Sequence, residues 1–359
     1  MFDRRLPVGL VLLLAGVGAA AQAPGARKLF VTNQGGATIT VLDERTAKVD
    51  TVLDLRRLGF SDNAKPHHVV VEPDGSFWYV SLIGDGRVLK FDRSHRLVGQ
   101  VRMETPGLLA LDPAHDSLYV GRSMTAVNPP KSLGVIMRSS FTLVEEQEIL
   151  VARPHALAVS ADGKWVHTAS LAENRIASVE TATGRVTLTT IPGAARSLVM
   201  FAVSPDGRTM VAGAELANSL FVFDLTRPPP LVPVREIPVE GKPWEARFAS
   251  DNKTVYLTLL LKNGVAVVDA QAGTVSRVLT GSIAQPYSMA LASDGRRAFV
   301  VSQNTGALAP GQSGHDKHGM VGHDAKDGWL SVLDLRSGKE TRTVMLGRGP
   351  TGLGAAGLR

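Results

Sequence analysis

The 359-residue sequence contains no cysteine. This absence excludes disulfide bonds, a cysteine nucleophile, thioether attachment of haem and a lipid anchor on an N-terminal cysteine. The fold must therefore be held together by the burial of apolar side chains, and a chain of this length can bury enough of them.

Runs of charge and motifs of common catalytic sites are also absent. Although Lys and Arg outnumber Asp and Glu by 39 to 33, the basic residues are scattered along the chain. We therefore expect a solvated, weakly basic surface and do not expect nucleic acid as a partner. The sequence contains no nucleophile elbow, no His-Glu-x-x-His motif and no glycine-rich phosphate loop, so no reaction class follows from a motif.

Residues 1–21 have the layout of a secretory signal peptide. Two arginines precede an apolar run from Leu6 to Val17, and three small residues end at Ala21. The apolar run is too short for a comfortable membrane span. We expect cleavage after Ala21, a short linker over 22–27, and a periplasmic or secreted protein with no membrane span.

One stretch recurs along the chain with altered residues. It runs from Lys65 to Asp92 and contains a proline, an apolar run, an Asp-Gly turn and two further strand-like runs. The spacing between copies is 40 to 48 residues, except for 64 before the last copy. The copies start at one shared column, which reads Pro66, Pro106, Pro154, Leu198, Pro243, Pro286 and Pro350.

A period of about 40–45 residues with several short strands per copy is typical of a β-propeller. We therefore predict an all-β fold, a seven-bladed β-propeller of four-stranded antiparallel blades spanning 28–359. The first copy, Lys28 to Leu55, lacks an inner strand, whereas the last, Pro350 to Leu358, lacks partners. We expect these N- and C-terminal segments to pair, because such pairing closes the ring and removes an open sheet edge.

Several strand sequences resemble those of the YVTN-type seven-bladed β-propeller family. The similar segments are 29–33 (LFVTN), 78–81 (WYVS), 255–258 (VYLT) and 299–302 (FVVS), and the resemblance covers residues 28–359. This family consists of exported bacterial propellers and is similar to the propeller domain of nitrous oxide reductase. The resemblance implies the fold and export, whereas propellers as a class carry out many unrelated functions.

The excess length before the last copy forms an insertion over 304–328 that is rich in glycine, histidine and aspartate. Strand-like sequence resumes directly after it, so the insertion occupies the connection between the second and third strands of its blade. His315, His318 and His323 lie within it, and imidazole is a common ligand of Cu and Zn. We predict that these three histidines bind Cu or Zn; a solvated loop without metal is the alternative.

The start of each inner strand and the connection between the second and third strands lie on the same face of a propeller. The residues that directly follow the shared column should therefore surround the mouth of the central channel on the face that carries the insertion. We expect ligand contacts from polar and aromatic residues at and near these positions: His67, His68, His155, Arg196, Trp244, Glu245, Arg247 and Tyr287. Hydrogen bonds between blades, and pairing of Glu245 with Arg247, are the structural alternatives.

Two functions are compatible with these observations. The first is a non-catalytic periplasmic binding or scaffold protein, monomeric, that uses the channel mouth for an unknown protein partner, a small-molecule ligand or a metal ion. The second is a metal-assisted hydrolase or lyase. Pro66-His67-His68 and Pro154-His155 locally resemble the Pro-His pairs of lactone-hydrolysing seven-bladed propellers, which implies a lactonase-like activity.

Overall fold

A computed structural model describes residues 27–123, 130–306, 321 and 324–356. These residues form seven four-stranded antiparallel sheets arranged in a ring, so the predicted seven-bladed β-propeller is confirmed. Residues 1–26, which contain the predicted signal peptide, lie outside the described residues. No helix among the residues that the structure describes is long and apolar enough to cross a membrane.

The blades are numbered in chain order, and their strands are given from the channel outwards. Blade 1 consists of β28 (Pro350–Ala355), β1 (Lys28–Asn33), β2 (Thr38–Asp43) and β3 (Val49–Asp54). Blade 2 consists of β4 (Pro66–Val71), β5 (Phe77–Leu82), β6 (Arg87–Asp92) and β7 (Leu97–Arg102). Blade 3 consists of β8 (Pro106–Leu111), β9 (Ser117–Arg122), β10 (Ser132–Met137) and β11 (Thr142–Glu148).

The remaining blades repeat this order. Blade 4 consists of β12 (Pro154–Val159), β13 (Trp165–Ser170), β14 (Arg175–Glu180) and β15 (Val186–Thr190). Blade 5 consists of β16 (Leu198–Val203), β17 (Thr209–Ala214), β18 (Ser219–Asp224) and β19 (Pro233–Pro238). Blade 6 consists of β20 (Pro243–Phe248), β21 (Thr254–Leu259), β22 (Gly264–Asp269) and β23 (Thr274–Thr280). Blade 7 consists of β24 (Pro286–Leu291), β25 (Arg297–Ser302), β26 (Asp327–Asp334) and β27 (Glu340–Arg348). Two short 3-10 helices, Gln34–Gly36 and Leu55–Leu58, follow β1 and β3.

The ring is closed as predicted, because the C-terminal strand β28 is the inner strand of the blade that the N-terminal strand β1 begins. Phe30 pairs with Gly354 and Val31 pairs with Leu353 in antiparallel register. With this strand, blade 1 has four strands like the other six blades, although its strands come from both ends of the chain.

The turns that join the first and second strands of each blade lie on one face, which we call the turn face. The opposite face, where the inner strands begin and where β25 ends and β26 begins, is called the insertion face. Glycines of the Asp-Gly turns have φ between +65° and +73°, a region that glycine occupies without steric cost. These glycines are Gly75, Gly163, Gly207 and Gly295.

Candidate functional site

A cavity of about 510 Å³ occupies the central channel. Inner strands of blades 1 to 6 form its walls, and the exposed turn residues Pro73, Pro113 and Ala161 form its rim. The cavity therefore opens at the turn face. Its volume lies within the range of about 300–1,000 Å³ that is typical of small-molecule sites. We take it as the candidate functional site.

The other end of the channel is filled by side chains. All seven residues that directly follow the shared column are buried: His67, Gly107, His155, Val199, Trp244, Tyr287 and Thr351. The rings of Trp244 and Tyr287 lie 4.7 Å apart and belong to one apolar cluster with Leu108 and Met200 of blades 3 and 5. The expectation of an open mouth surrounded by this column is therefore corrected: large side chains fill this layer, and the cavity begins one residue deeper.

Arg247 is the exceptional residue of the cavity wall. It stands four residues after the shared column, and the six equivalent residues of the other blades are small and uncharged. They are Val70, Ala110, Ala158, Ala202, Ala290 and Gly354. A guanidinium group in a position that otherwise holds Val, Ala or Gly is not needed for blade packing, and it places a permanent positive charge in the channel.

Short contacts on three sides hold the Arg247 guanidinium in place. Its Nε donates to the carbonyl of Met289 at 3.2 Å, and Nη1 donates to the carbonyl of Ala246 at 3.3 Å. Its Nη2 forms an ion pair with Glu245. A guanidinium carries five N–H donors, so these contacts, among the described residues, leave two donors for a ligand in the cavity.

Glu245 anchors this arginine from a fully enclosed position. Its second carboxylate oxygen accepts a hydrogen bond from the backbone N–H of Met289 in the next blade at 3.2 Å. Burial raises the pKa of Glu245, and the charge of Arg247 opposes that shift. Glu245 thus balances the positive charge of Arg247 at the cavity wall. Removing either partner would leave the other charge unpaired and would destabilise the fold.

His68 is the second polar residue of the cavity wall, two residues after the shared column. Its Nδ1 accepts a hydrogen bond from the backbone N–H of Leu109 in the next blade at 3.2 Å. An accepting Nδ1 carries a lone pair, so the proton of the neutral ring resides on Nε2. Burial, together with the charges of Arg247 and His155, lowers the pKa of His68 to about 3. At neutral pH His68 is therefore a neutral ring that offers an N–H donor.

The contact between His68 and Leu109 belongs to a pattern that links neighbouring inner strands. In blade 6, Glu245 occupies the position of His68 and accepts the N–H of Met289. In blade 7, Ser288 occupies it and accepts the N–H of Leu353 at 3.1 Å. In blades 3, 4 and 5 the same position holds Leu108, Ala156 and Met200. The inner wall is thus polar on one side and apolar on the other.

Polar groups at the cavity rim bind one another. Arg138 pairs with Glu72 at 2.7 Å, and the same carboxylate accepts the hydroxyl of Tyr79 at 2.8 Å. The hydrogen bond to Glu72 and burial raise the pKa of Tyr79 far above its ordinary value, with burial the larger cause. This network spans blades 2 and 3 and shapes the opening at the turn face.

The other predicted ligand residues lie away from the cavity or are engaged in contacts between blades. His155 donates from Nδ1 to the carbonyl of Val199 at 2.7 Å, and burial lowers its pKa to about 4. His67 contacts the amide oxygen of Gln34 at 3.2 Å. Arg196 pairs with Glu236 of the outer strand β19 at 2.8 Å. Of the eight predicted residues, His68 and Arg247 line the cavity and Glu245 pairs with Arg247, whereas the ligand-binding role of the others stays a prediction.

The predicted metal ligands His315, His318 and His323 lie outside the described residues. Within the part of the chain that the structure describes, no group of three or more His, Asp or Glu side chains is placed to hold a metal ion. Binding of Cu or Zn by the insertion stays a prediction.

Three solved structures share the fold over almost the whole chain. The first is a functionally unknown protein from Desulfotomaculum acetoxidans, 14% identical, with a TM-score of 0.72 over 92% of this chain and 98% of that one. The second is the periplasmic gluconolactonase PpgL of Pseudomonas aeruginosa, 19% identical, with a TM-score of 0.69 over 93% and 99%. The third is the dihydro-heme d1 dehydrogenase NirN, 17% identical, with a TM-score of 0.61 over 91% and 75%. No protein-family model matches the chain, and no curated protein matches it.

These comparisons correct the expectation of a non-catalytic scaffold. Two of the three similar propellers are named for enzymatic activities, one of them the hydrolysis of a lactone. At these identities the likeness shows the fold of this chain and leaves its activity to be argued from the site. The hydrolase alternative is the better supported of the two expectations.

Proposed function

We propose that this protein is a hydrolase that opens a lactone or a comparable ester inside the central cavity. The observation that carries the proposal is Arg247, a single guanidinium in a position that holds Val, Ala or Gly in every other blade. A fixed positive charge and a neutral imidazole donor in a partly enclosed cavity suit a reaction in which negative charge develops on a carbonyl oxygen.

The proposed mechanism uses the two donors on the polar side of the cavity. The free N–H groups of Arg247 and the Nε2–H of His68 donate to the carbonyl oxygen of the ester. Water adds to the carbonyl carbon, and the tetrahedral oxyanion is stabilised by these donors. The ring C–O bond then breaks, the leaving oxygen takes the proton that the added water gives up, and a hydroxy acid results. With a pKa of about 3, His68 acts here as a donor and not as a base.

The proposal includes the expectation that the protein is exported to the periplasm and acts on a small molecule as a monomer. The residue pattern of 1–21 supports export, and the similar gluconolactonase from P. aeruginosa is named as periplasmic. The resemblance to the YVTN-type family is compatible with this location.

The hydrolase proposal is tested by the rate of ring opening of simple δ-lactones above the spontaneous rate. We expect Arg247→Gln to lower kcat by about 100-fold, the usual effect of removing one oxyanion donor. His68→Ser should lower it similarly while keeping the junction intact, because Ser288 accepts the corresponding N–H in blade 7. Arg185→Gln, which removes an exposed arginine paired with Glu180 at 3.2 Å, is the matched control and should leave kcat unchanged.

Two outcomes contradict the proposal. One is a wild-type protein that opens no ester or lactone faster than buffer does. The other is a folded Arg247→Gln protein, with a circular dichroism spectrum and thermal transition like those of wild type, that retains full activity.

A further inference from the structure

The further inference concerns the substrate class and rests on the proposed hydrolase function. We propose that the cavity takes a cyclic ester with an apolar body, such as an alkyl-substituted lactone, in preference to a polyhydroxylated sugar lactone. The ester group would contact His68 and Arg247, and the apolar body would lie against blades 3, 4 and 5.

The first observation is the chemistry of the wall that blades 3 to 5 form. Apolar side chains of blades 3 to 5 line it: Leu108, Leu109, Leu111, Leu157, Val159, Met200, Phe201 and Val203. Leu157 and Met200 are each 8% exposed and Phe201 is 6% exposed, whereas Phe223 in the same blade is 0% exposed. Because these side chains line the cavity, their residual exposure is to the cavity space, where an apolar ligand can cover it.

The second observation is that other polar side chains in the lining are engaged locally. Asp112 accepts the backbone N–H of Ala114 at 2.8 Å and contacts Nδ1 of His115 at 3.1 Å. Ser204 donates to Asp206 at 2.6 Å and accepts the backbone N–H of Thr209 at 3.0 Å. These contacts stabilise the turns of their blades, and they engage the polar groups that could otherwise bind a ligand.

Glu72 and Arg138 are likewise paired with each other at the rim. Side-chain recognition of a ligand therefore comes from His68 of blade 2 and Arg247 of blade 6, and the charge of Arg247 contributes to the lowered pKa of His68. A carbonyl group placed between these two donors can accept from both. Hydroxyls distributed around a sugar ring would meet the apolar side chains of blades 3 to 5, where a polar group without a partner is disfavoured.

The charge of the site favours a neutral head group. Glu245 already compensates the charge of Arg247, and Glu72 compensates that of Arg138. A phosphorylated substrate would bring two negative charges close to these two carboxylates, and both arginines among the described lining residues are already paired. A neutral ester, whose oxygen becomes negative only during the reaction, suits this arrangement.

The test is a series of δ-lactones with increasing alkyl chains, δ-hexalactone, δ-octalactone and δ-decalactone, compared with glucono-δ-lactone. We expect kcat/KM to rise by about fourfold per added methylene until the cavity is filled. Glucono-δ-lactone should be the poorest substrate of the set. A kcat/KM for glucono-δ-lactone equal to or above that of δ-decalactone would overturn the inference and leave the hydrolase proposal standing.

A pair of variants connects the preference to the apolar wall. Phe201→Ala enlarges the cavity and should move the best substrate to a longer alkyl chain. Phe223→Ala is the matched control, since Phe223 belongs to the same apolar cluster but does not line the cavity. A shift in both variants, or in neither, contradicts the assignment of the alkyl chain to this wall.

Binding of δ-decanolactam, a neutral analogue that resists hydrolysis, separates the two proposals. If no lactone is opened but calorimetry shows lactam binding that Phe201→Ala alters and Phe223→Ala does not, the hydrolase proposal fails and the apolar-ligand inference stands. If the lactam does not bind at millimolar concentration and rates do not rise with chain length, the inference fails.

Discussion

Three buried histidines are neutral in the folded protein for the same physical reason. Burial is the largest cause in each case, and it lowers the pKa of His68 to about 3 and those of His155 and His167 to about 4. His167 contacts the hydroxyl of Ser178 at 2.9 Å inside blade 4 and occupies a position that holds Tyr or Phe in every other blade except blade 5, which has Val211. It is a core residue, whereas His68 faces the cavity.

These lowered pKa values predict a loss of stability in mild acid. In the unfolded chain each histidine has a pKa of about 6.5, so between pH 6.5 and 4 the unfolded state binds protons that the folded state does not. The stabilisation is complete above pH 6.5 and is lost as the pH falls towards the folded pKa values. The urea midpoint should therefore decrease between pH 7 and pH 4.5.

His167→Phe tests the size of this effect, because it removes one of the three groups and leaves the cavity unchanged. The pH dependence of the free energy of unfolding should become shallower by about one proton in this range. Taking the difference between variant and wild type cancels the contributions of all carboxylates. If the two proteins had identical slopes, His167 would have the same protonation state in the folded and the unfolded chain, which contradicts the prediction.

At the scale of single strands, close approach of β28 to blade 2 explains why the closing strand contains glycine. A Cβ at Gly352 would lie 2.5 Å from the carbonyl oxygen of His67 and 3.0 Å from the hydroxyl of Thr32. That hydroxyl donates to His67 at 3.0 Å and accepts the N–H of Gly352 at 2.8 Å. Any side chain here would separate blades 1 and 2 at the junction of the two chain ends.

We expect Gly352→Ala to lower the free energy of unfolding by about 1–3 kcal/mol, the usual cost of overpacking. Gly36→Ala is the matched control, since the nearest atom to its added Cβ lies at an ordinary 3.5 Å. Chemical denaturation of the two variants measures the difference. Equal stabilities would show that the closing junction adjusts without cost.

The sequence predicts the strands better than it predicts the site. Every inner strand begins at the residue of the shared column, from Pro66 to Pro350, because a proline at the start or an Asp-Gly turn after the end marks the strand locally in every blade. The contact between His68 and Leu109, by contrast, joins two blades. Trp244 and Tyr287 fill one end of the channel because their large side chains meet near its axis. They meet only once the ring has closed, so local sequence does not predict this.

Comparison between copies offered one indication of the site within the sequence itself. Arg247 stands out when the fourth residue after the shared column is read across all seven blades. The same comparison cannot show which end of the channel remains open, because that depends on how side chains from all blades meet at the axis.

For the molecule as a whole, the structure separates two possible functional faces. The cavity with His68 and Arg247 opens at the turn face, whereas the strand ends that flank the histidine-rich insertion, Ser302 and Asp327, lie at the opposite face. Hydrolysis is proposed for the first face, and metal binding stays a prediction for the second. Each can therefore be tested without altering the other.

A crystal structure of the protein soaked with 5-hydroxydecanoate, the product of δ-decalactone opening, tests the location of the site most directly. The carboxylate should lie in the central cavity within hydrogen-bond distance of His68 Nε2 and an Arg247 nitrogen, with the alkyl chain against Met200 and Phe201. Binding of the acid at the insertion face, or an unoccupied cavity at a saturating concentration, would contradict the assignment of the functional site to this cavity.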